Sequence, residues 1–364
     1  MIRALRLRDF KCFSDARLVL APLTVLSGTN GSGKSSVIQS LLALRQSWEQ
    51  GLLARNVLAL NGDWIRLGTG RDVLNEDAER DHIELELEHD AGVSAWRFAY
   101  AAREELEGAL PATPLPELAL FRDDFQYLCA ERSGPRSSFA MVDHLVRNQR
   151  FLGAAGQYTA QFLAELGEEP VRPGPLMRTD AEPSLLKQTA AWLDLVAAGP
   201  RLYVQTFRDM DVVQLQFAFS HRLGETMRYR PTNVGFGLTY TLPVIVALLS
   251  ARPGGLVIVE NPEAHLHPQG QADMGRMLAL AAASGVQVLV ETHSDHVLNG
   301  IRIAVKQALL SHEELALHFF TWQRNGRESQ HVHRSPRMNA QGRLDHWPEG
   351  FFDQWERSLD QLLD

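Results

Sequence analysis

At the N-terminus Ile2, Leu5 and Leu7 interleave with Arg3, Arg6 and Arg8, the period-two pattern of a strand with one wet face. The alternation returns in "HIELELEHDAGVSAWRFAY". There Ile83, Leu85 and Leu87 alternate with Glu84, Glu86 and Glu88, and the return strand sets Trp96, Phe98 and Tyr100 on one face, which predicts an antiparallel hairpin. Between these segments, residues 23–26 read as a short buried strand. Val37, Ile38, Leu41, Leu42 and Leu44 form the apolar side of a helix that follows a glycine-rich loop. Residues 102–199 break the regularity. "LPATPLPE" and "EEPVRPGPL" punctuate helical stretches such as 184–198, and the spacing predicts an inserted, mainly helical arm.

"VVQLQFAFS" resumes strand alternation with Val213, Leu215, Phe217 and Phe219 inward. "NVGFG" and an apolar helix come next, followed by a strand at 256–259, a helix at 270–283 and a strand at 286–290 that runs into "ETHSD". Strands alternating with helices predict a parallel arrangement in the last third. The expected organisation is an N-terminal lobe over 1–101, the arm over 102–199, a C-terminal lobe over 200–315 and a tail over 316–364.

Composition narrows the class. The 364 residues are 45% hydrophobic and 22% charged, with a net charge of −8. That charge weighs against a dedicated nucleic-acid coat, although a local basic groove could survive it. Cys12 and Cys129 are the only cysteines, which argues against a disulfide framework or a cysteine-based zinc site and fits a reducing, cytoplasmic setting. The longest apolar run, "VGFGLTYTLPVIVALL", carries Gly, Thr and Pro and falls short of the ~20 residues of a spanning helix. No membrane association is expected.

The chemistry begins at "GTNGSGKS", Gly28 to Ser35, which matches G-x-x-x-x-G-K-[ST] between a strand and a helix. Glycines let successive backbone N–H groups converge on phosphates, and the helix N-terminus adds partial positive charge. Asn30, Gly31, Ser32, Gly33, Lys34, Ser35 and Ser36 are therefore expected to hold a nucleoside triphosphate. In that site Lys34 sits on the β/γ-phosphates and the Ser35 hydroxyl on Mg²⁺. Glu260 ends an apolar strand, where an acid can hold the same metal directly or through water. His293 ends the next strand, where a γ-phosphate could be sensed. Asn233, Gly235 and Gly237 stand before a helix and prepare a second anion-friendly N-terminus.

Phosphate loop, late glycine segment, acidic strand end and strand-end histidine follow one another as in ABC-type ATPases, the class that includes SMC, RecF and OLD proteins. "IRALRLRDFKCF…LVLAPLTVLSGTNGSGKSS" resembles their opening strand pair. "ENPEAHLHPQGQ", "ETHSDHVLNGIR", "YLCAERSGPR" and "LGAAGQY" resemble the OLD-related branch of AAA-family ATPases. "GRLDHWPEGFFDQWERSLDQLL" is similar to a short C-terminal domain of unknown function that accompanies some bacterial members. The resemblance implies an α/β, ABC-ATPase-like P-loop head, a mixed sheet flanked by helices that carries the inserted arm. It also implies ATP and Mg²⁺ as cofactors and a head-to-head homodimer, or a higher oligomer, around them. Asn233, Gly235 and Gly237 then stand as the signature loop and His293 as the switch histidine, with a Q-loop near "LNGDWIRLG".

Asn261 occupies the position that the catalytic glutamate takes in most such ATPases, and an amide cannot act as a general base. Glu263, past Pro262, is the expected substitute, with Glu260 and His293 completing the catalytic set. The alternative is a catalytically weak, ATP-locked scaffold or sensor dimer. A RecF- or SMC-like DNA-binding ATPase is a further reading, unsupported by charge or by heptads in 102–199. OLD proteins carry a C-terminal TOPRIM nuclease. About 70 residues follow "ETHSD", so a separate effector, a nuclease or toxin, is expected as the partner, in an anti-phage setting. His265 and His267 lack the helix-borne i, i+4 spacing of a metal pair. Arg132 and Arg136 could meet phosphate, a partner or a surface acid. Trp347, Phe351 and Phe352 read as an aromatic plug.

Overall fold

The computed structural model describes residues 1–109, 115–197, 200–222, 224–325, 328–348, 350–351 and 361–363. The chain forms two compact units, one built from 1–122, 315–337 and 344–364, the other from 123–314 and 338–343. Phe352 lies outside the described residues.

In the first unit, the strands Phe13–Val19, Ile2–Phe10, His82–His89 and Gly92–Ala99 form an antiparallel sheet in that spatial order. The predicted hairpin has Ile83 opposite Phe98 and Leu85 opposite Trp96, all buried. The wet face is a ladder of ion pairs: Arg6 with Asp15, Arg8 with Glu84, Arg17 with Glu88 and Arg3 with Asp90. Each exposed pair contributes little to stability, but together they cancel the arginine charge that the sequence places on this face. The strand Leu23–Gly28 pairs in parallel with Leu315–Asn325, which turns back antiparallel as Glu328–Arg334. Leu23–Gly28 feeds the helix Lys34–Glu49, whose buried side includes Val37, Ile38, Leu41, Leu42 and Leu44.

In the second unit, Leu256–Glu260 lies between two parallel neighbours, Phe125–Leu128 and Gln287–Glu291. Strands buried on both faces read as continuous apolar runs, which is why "LVIVE" and "QVLVE" show no alternation. The helices Pro268–Ala283 and Asp295–Lys306 pack together through glycines. A Cβ on Gly275 would sit 2.1 Å from the Val297 carbonyl oxygen, and one on Gly300 would sit 2.0 Å from that of Ala272. A second, antiparallel sheet pairs Pro200–Phe207 with Val212–His221. Its expected alternation holds at Val213, Leu215 and Phe217, whereas Phe219 is only half-buried.

Mixed parallel and antiparallel pairing with flanking helices is the expected α/β head. Residues 102–199 differ from the mainly helical arm anticipated there, because they divide between the two units. They hold the helices Thr159–Leu166 and Leu185–Ala197, but also Glu105–Glu107, paired with Val57–Ala59, and the core strand Phe125–Leu128. The physical reason is length. "FQYL" is too short to show a period, and only its parallel pairing with Leu256–Glu260 makes it a strand.

Since the two glycine contacts set the separation of these helices, Gly300→Ala should cost roughly 1–3 kcal/mol through overpacking. The drop should appear in the thermal midpoint, and an unchanged midpoint would refute the close approach.

Candidate functional site

The phosphate loop belongs to the first unit. Gly28 has φ 143° and Gly33 has φ 102°, conformations open to glycine. A Cβ at Gly28 would fall 2.0 Å from the Phe320 carbonyl oxygen, and one at Gly33 would fall 2.7 Å from the Cys12 Sγ. Strand pairing on one side and the turn at Cys12 and Phe13 on the other therefore require glycine at both positions. Ser32, Gly33 and Lys34 are buried, while Asn30, Gly31 and Ser35 are exposed. The Lys34 Nζ folds back to donate to the Gly28 and Thr29 carbonyls at 3.1 and 2.8 Å. Ser32 Oγ also donates to the Thr29 carbonyl, at 2.6 Å. Ser36 hydrogen-bonds the Cys12 thiol, which burial pushes up in pKa. The helix Lys34–Glu49 has no side-chain cap and no acid in its first turn, so its N-terminal N–H groups keep their affinity for an anion.

Carboxylates and glycine loop belong to the second unit. Glu260 is held at the strand end by the Tyr127 hydroxyl, which donates to Oε1 at 2.9 Å, and by the Ala130 N–H at 3.4 Å from Oε2. Burial pushes its pKa up, and Tyr127 is pushed up by burial and by the Glu260 charge. Asn261 follows with φ 46°. Its N–H donates to the Glu291 carbonyl at 2.8 Å. Arg132, 3% exposed, donates to the carbonyls of Glu260 at 2.7 Å and Asn261 at 2.6 Å. It also reaches the carbonyls of Cys129 at 3.2 Å and Tyr240 at 3.0 Å. Arg132 is thus a buried backbone clamp, neither a phosphate ligand nor a surface ion pair, while Arg136 is exposed.

Past Pro262, Glu263 Oε1 accepts the His293 N–H at 2.9 Å. Burial raises its pKa, countered by that N–H and by the Thr292 hydroxyl. Glu263 Oε2 and Asn261 Oδ1 are buried with no hydrogen-bond partner among the described residues. The His293 side chain is exposed. Asn233 and Gly235 are exposed ahead of the helix Phe236–Ser250, which starts at Gly235 without a side-chain cap. Gly237 lets the helix approach the 261–265 turn, since a Cβ there would lie 2.5 Å from the His265 carbonyl oxygen. The His265 ring packs against Phe236 and Tyr240 at 4.7 and 4.8 Å, and His267 precedes the helix Pro268–Ala283.

Glu260, Glu263 and His293 therefore share one strand-end cluster, with the glycine loop packed on its turn, while Asn30 to Ser36 form a continuous loop of their own. Sequence reasoning missed Tyr127, Arg132 as a clamp, and two residues on the phosphate loop. The Trp322 Nε1–H donates to the Gly31 carbonyl at 3.0 Å, and His331 Nε2 lies 2.5 Å from the Ser32 carbonyl. Nothing local marks those two, because their partners lie about 290 to 300 positions away in sequence. Phe351 is buried and meets Phe319 edge-on at 5.2 Å and Trp347 at 5.6 Å, so it packs as a plug.

Residues 1–89 match a model described as an AAA ATPase domain. Residues 205–299 match one described as an AAA domain of the AbiEii toxin, type IV toxin–antitoxin kind. Residues 310–362 match a protein of unknown function, DUF3696. An OLD nuclease of Thermus scotoductus (strain ATCC 700910 / SA-01) is 23% identical over 337 residues. The match covers 81% of this chain but only 59% of that nuclease. The crystal structure of an SMC head bound to the C-winged helix domain of ScpA shares the fold. Its TM-score is 0.50 at 12% identity, over 92% of this chain and 98% of that one.

The raised pKa of Glu263 gives a stability test. A carboxyl held above its unfolded value, about 4.3, costs stability once pH rises through the folded pKa, and costs nothing below the unfolded one. Without nucleotide, Glu263→Gln should therefore raise the thermal midpoint at pH 8, by about 2–4 °C per kcal/mol relieved, and lose that gain near pH 4. A variant no more stable at pH 8 would contradict the buried carboxylate. Phosphate loop, strand-end acids and AAA-type matches over parts of the chain make it similar to P-loop ATPases of the OLD-like kind, with the fold of an SMC head.

Proposed function

We propose that the protein binds MgATP, hydrolyses it in a head-to-head homodimer or higher oligomer, and uses the cycle to control an effector. The observation that carries the reading is Glu263: one carboxylate oxygen is fixed by the His293 N–H, and the other is buried with no hydrogen-bond partner among the described residues. A base oriented through one oxygen and unpaired at the other suits a water that must be aligned and deprotonated. Burial raises its pKa toward the operating pH, which strengthens it as a base.

The residues present fit the cofactor. Glycines free the loop's N–H groups, the helix N-terminus is uncapped, and Lys34 now occupies the loop carbonyls that a phosphate would draw it away from. Asn30, Gly31, Ser32, Gly33, Lys34, Ser35 and Ser36 would cradle the phosphates. Ser35 and Glu260 would hold Mg²⁺, which neutralises charge on the β- and γ-oxygens. Asn233, Gly235 and Gly237, at an uncapped and exposed helix start, would offer N–H groups to the partner subunit's nucleotide. The exposed His293 ring would meet the γ-phosphate. Kinship with an OLD nuclease and with the AbiEii description supports a nuclease or toxin as the effector and anti-phage defence as the setting.

Asn261 favours a second reading, an ATP-locked scaffold that hydrolyses slowly or not at all. A DNA-binding role draws less support, because the arginines of the N-terminal sheet are paired with acids. No described helix is long and apolar enough to cross a membrane, and a cytoplasmic setting is part of the proposal.

Steady-state ATP turnover of the purified chain decides between the readings, with Lys34→Ala as the blank. Turnover above the blank is expected, and Glu263→Gln should lower it by about 10²–10⁴-fold while MgATP binding persists and dimers accumulate. Full turnover in Glu263→Gln would remove this residue as the base. MgATP-dependent dimers with no turnover would establish the scaffold.

A further inference from the structure

The C-terminal hairpin does more than extend a sheet. Leu315–Asn325 runs parallel to Leu23–Gly28 in a register that ends with Phe320 opposite Gly28. Beyond that pair the phosphate-loop strand has become the loop, while the hairpin continues alongside it. In the overhang Trp322 stands directly across from His331, and each reaches a loop carbonyl: Trp322 Nε1 to Gly31 at 3.0 Å and His331 Nε2 to Ser32 at 2.5 Å. Ring contacts hold the pair, with His331 half-buried and Trp322 42% exposed. The rings of Trp322 and His331 meet edge-on at 5.6 Å, and His331 also meets Phe13 edge-on at 4.8 Å. His331 Nε2 lies 3.1 Å from where a Gly33 Cβ would be. A carbonyl partner requires the proton on Nε2.

We propose that Trp322 and His331 are positioning residues of the phosphate loop, and that bracing this loop is the task of the C-terminal module of unknown function. The mechanism follows from the planar trans peptide, in which C=O and the following N–H point in opposite directions. Pinning the Gly31 carbonyl outward aims the Ser32 N–H inward, and pinning the Ser32 carbonyl does the same for the Gly33 N–H. Trp322 and His331 thus fix N–H groups that a phosphate requires, before any phosphate arrives. Lys34 and Ser32 hold the neighbouring Gly28 and Thr29 carbonyls. Lys34 leaves that post when it turns to a phosphate, whereas the hairpin donors have no reason to move. Preorganised donors bind without a reorganisation cost.

The inference rests on the ATP-binding reading for its consequence but not for its geometry, so the test has two arms on the full chain. Trp322→Phe and His331→Phe keep an aromatic ring and remove the donor, while His331→Gln restores an N–H at a similar reach. Without nucleotide, hydrogen exchange is followed over 27–37, whose Thr29 and Val37 amides are bonded to the Phe320 and Gly33 carbonyls. Exchange should quicken in both Phe variants and return toward wild type in His331→Gln, with thermal midpoints close to wild type. MgATP affinity, measured by calorimetry, should fall about fivefold for each lost donor, the size of one net hydrogen bond, and recover in His331→Gln. Unaltered exchange in both Phe variants overturns the brace, and so does unaltered MgATP affinity in a wild type that binds. If the wild-type chain binds no MgATP, the ATP reading falls by itself, and the exchange arm alone upholds or overturns the brace.

Discussion

The buried guanidinium of Arg132 holds the second unit's chemistry in place. It is desolvated enough to lower its pKa, a cost that only hydrogen bonding offsets. Its five donors in a rigid fork suit several carbonyls at once, and here they reach those of Cys129, Tyr240, Glu260 and Asn261. One side chain therefore ties the segment after Phe125–Leu128, the helix behind the glycine loop, and the turn that carries the acids. The Tyr240 ring lies 5.3 Å from the guanidinium, within cation–π range. Lysine could not substitute, since three donors on a point charge cannot span four carbonyls in a plane.

The clamp also bears on Asn261. With both adjacent carbonyls held by Arg132 and its N–H held by Glu291, this backbone is fixed at φ 46°. Asparagine enters the left-handed region more readily than glutamate does. The residue that looks like a missing catalytic acid is thus suited to the backbone conformation of its position. The acid two residues on hangs from a turn whose Ala264 and Leu266 N–H groups return to the Asn261 and Glu263 carbonyls. The turn holds Glu263 against the His293 N–H. Replacing Asn261 with an acid would not simply restore a general base, because its side chain leaves the backbone from this left-handed position.

Much of this was legible in the sequence, and what was not had physical reasons. Periodicity revealed the hairpin of Glu84 and Trp96 because one face is wet. The phosphate loop was legible because its function dictates glycine at fixed offsets. Apolar runs ending in polar residues located Glu260 and His293. The strand Phe125–Leu128 was missed because its four buried residues carry no period and sit between proline-rich punctuators. Arg132 read as a contact to phosphate, a partner or a surface acid because charge is visible in a sequence, whereas the carbonyls that surround it, from Cys129 to Asn261, are not. Trp322 and His331 were invisible for the same reason, since their partners are backbone atoms and leave no trace in residue type.

Both loops follow one rule. A functional loop must present N–H groups or a carboxylate to its ligand, and it cannot do so reliably while its carbonyls wander. In the second unit a buried cation holds those carbonyls, and in the first unit an indole and an imidazole hold them. The choice of donor follows from the surroundings. Beside Glu260 and Glu263, whose pKa values burial has raised, a positive charge favours their ionised forms, and Arg132 does so for both. Beside a phosphate loop that already carries Lys34 and a helix N-terminus, another buried cation would repel Lys34 and gain nothing in geometry. Neutral donors fix the peptide planes there without altering the charge. Burial lowers the pKa of His331 and keeps it among those neutral donors.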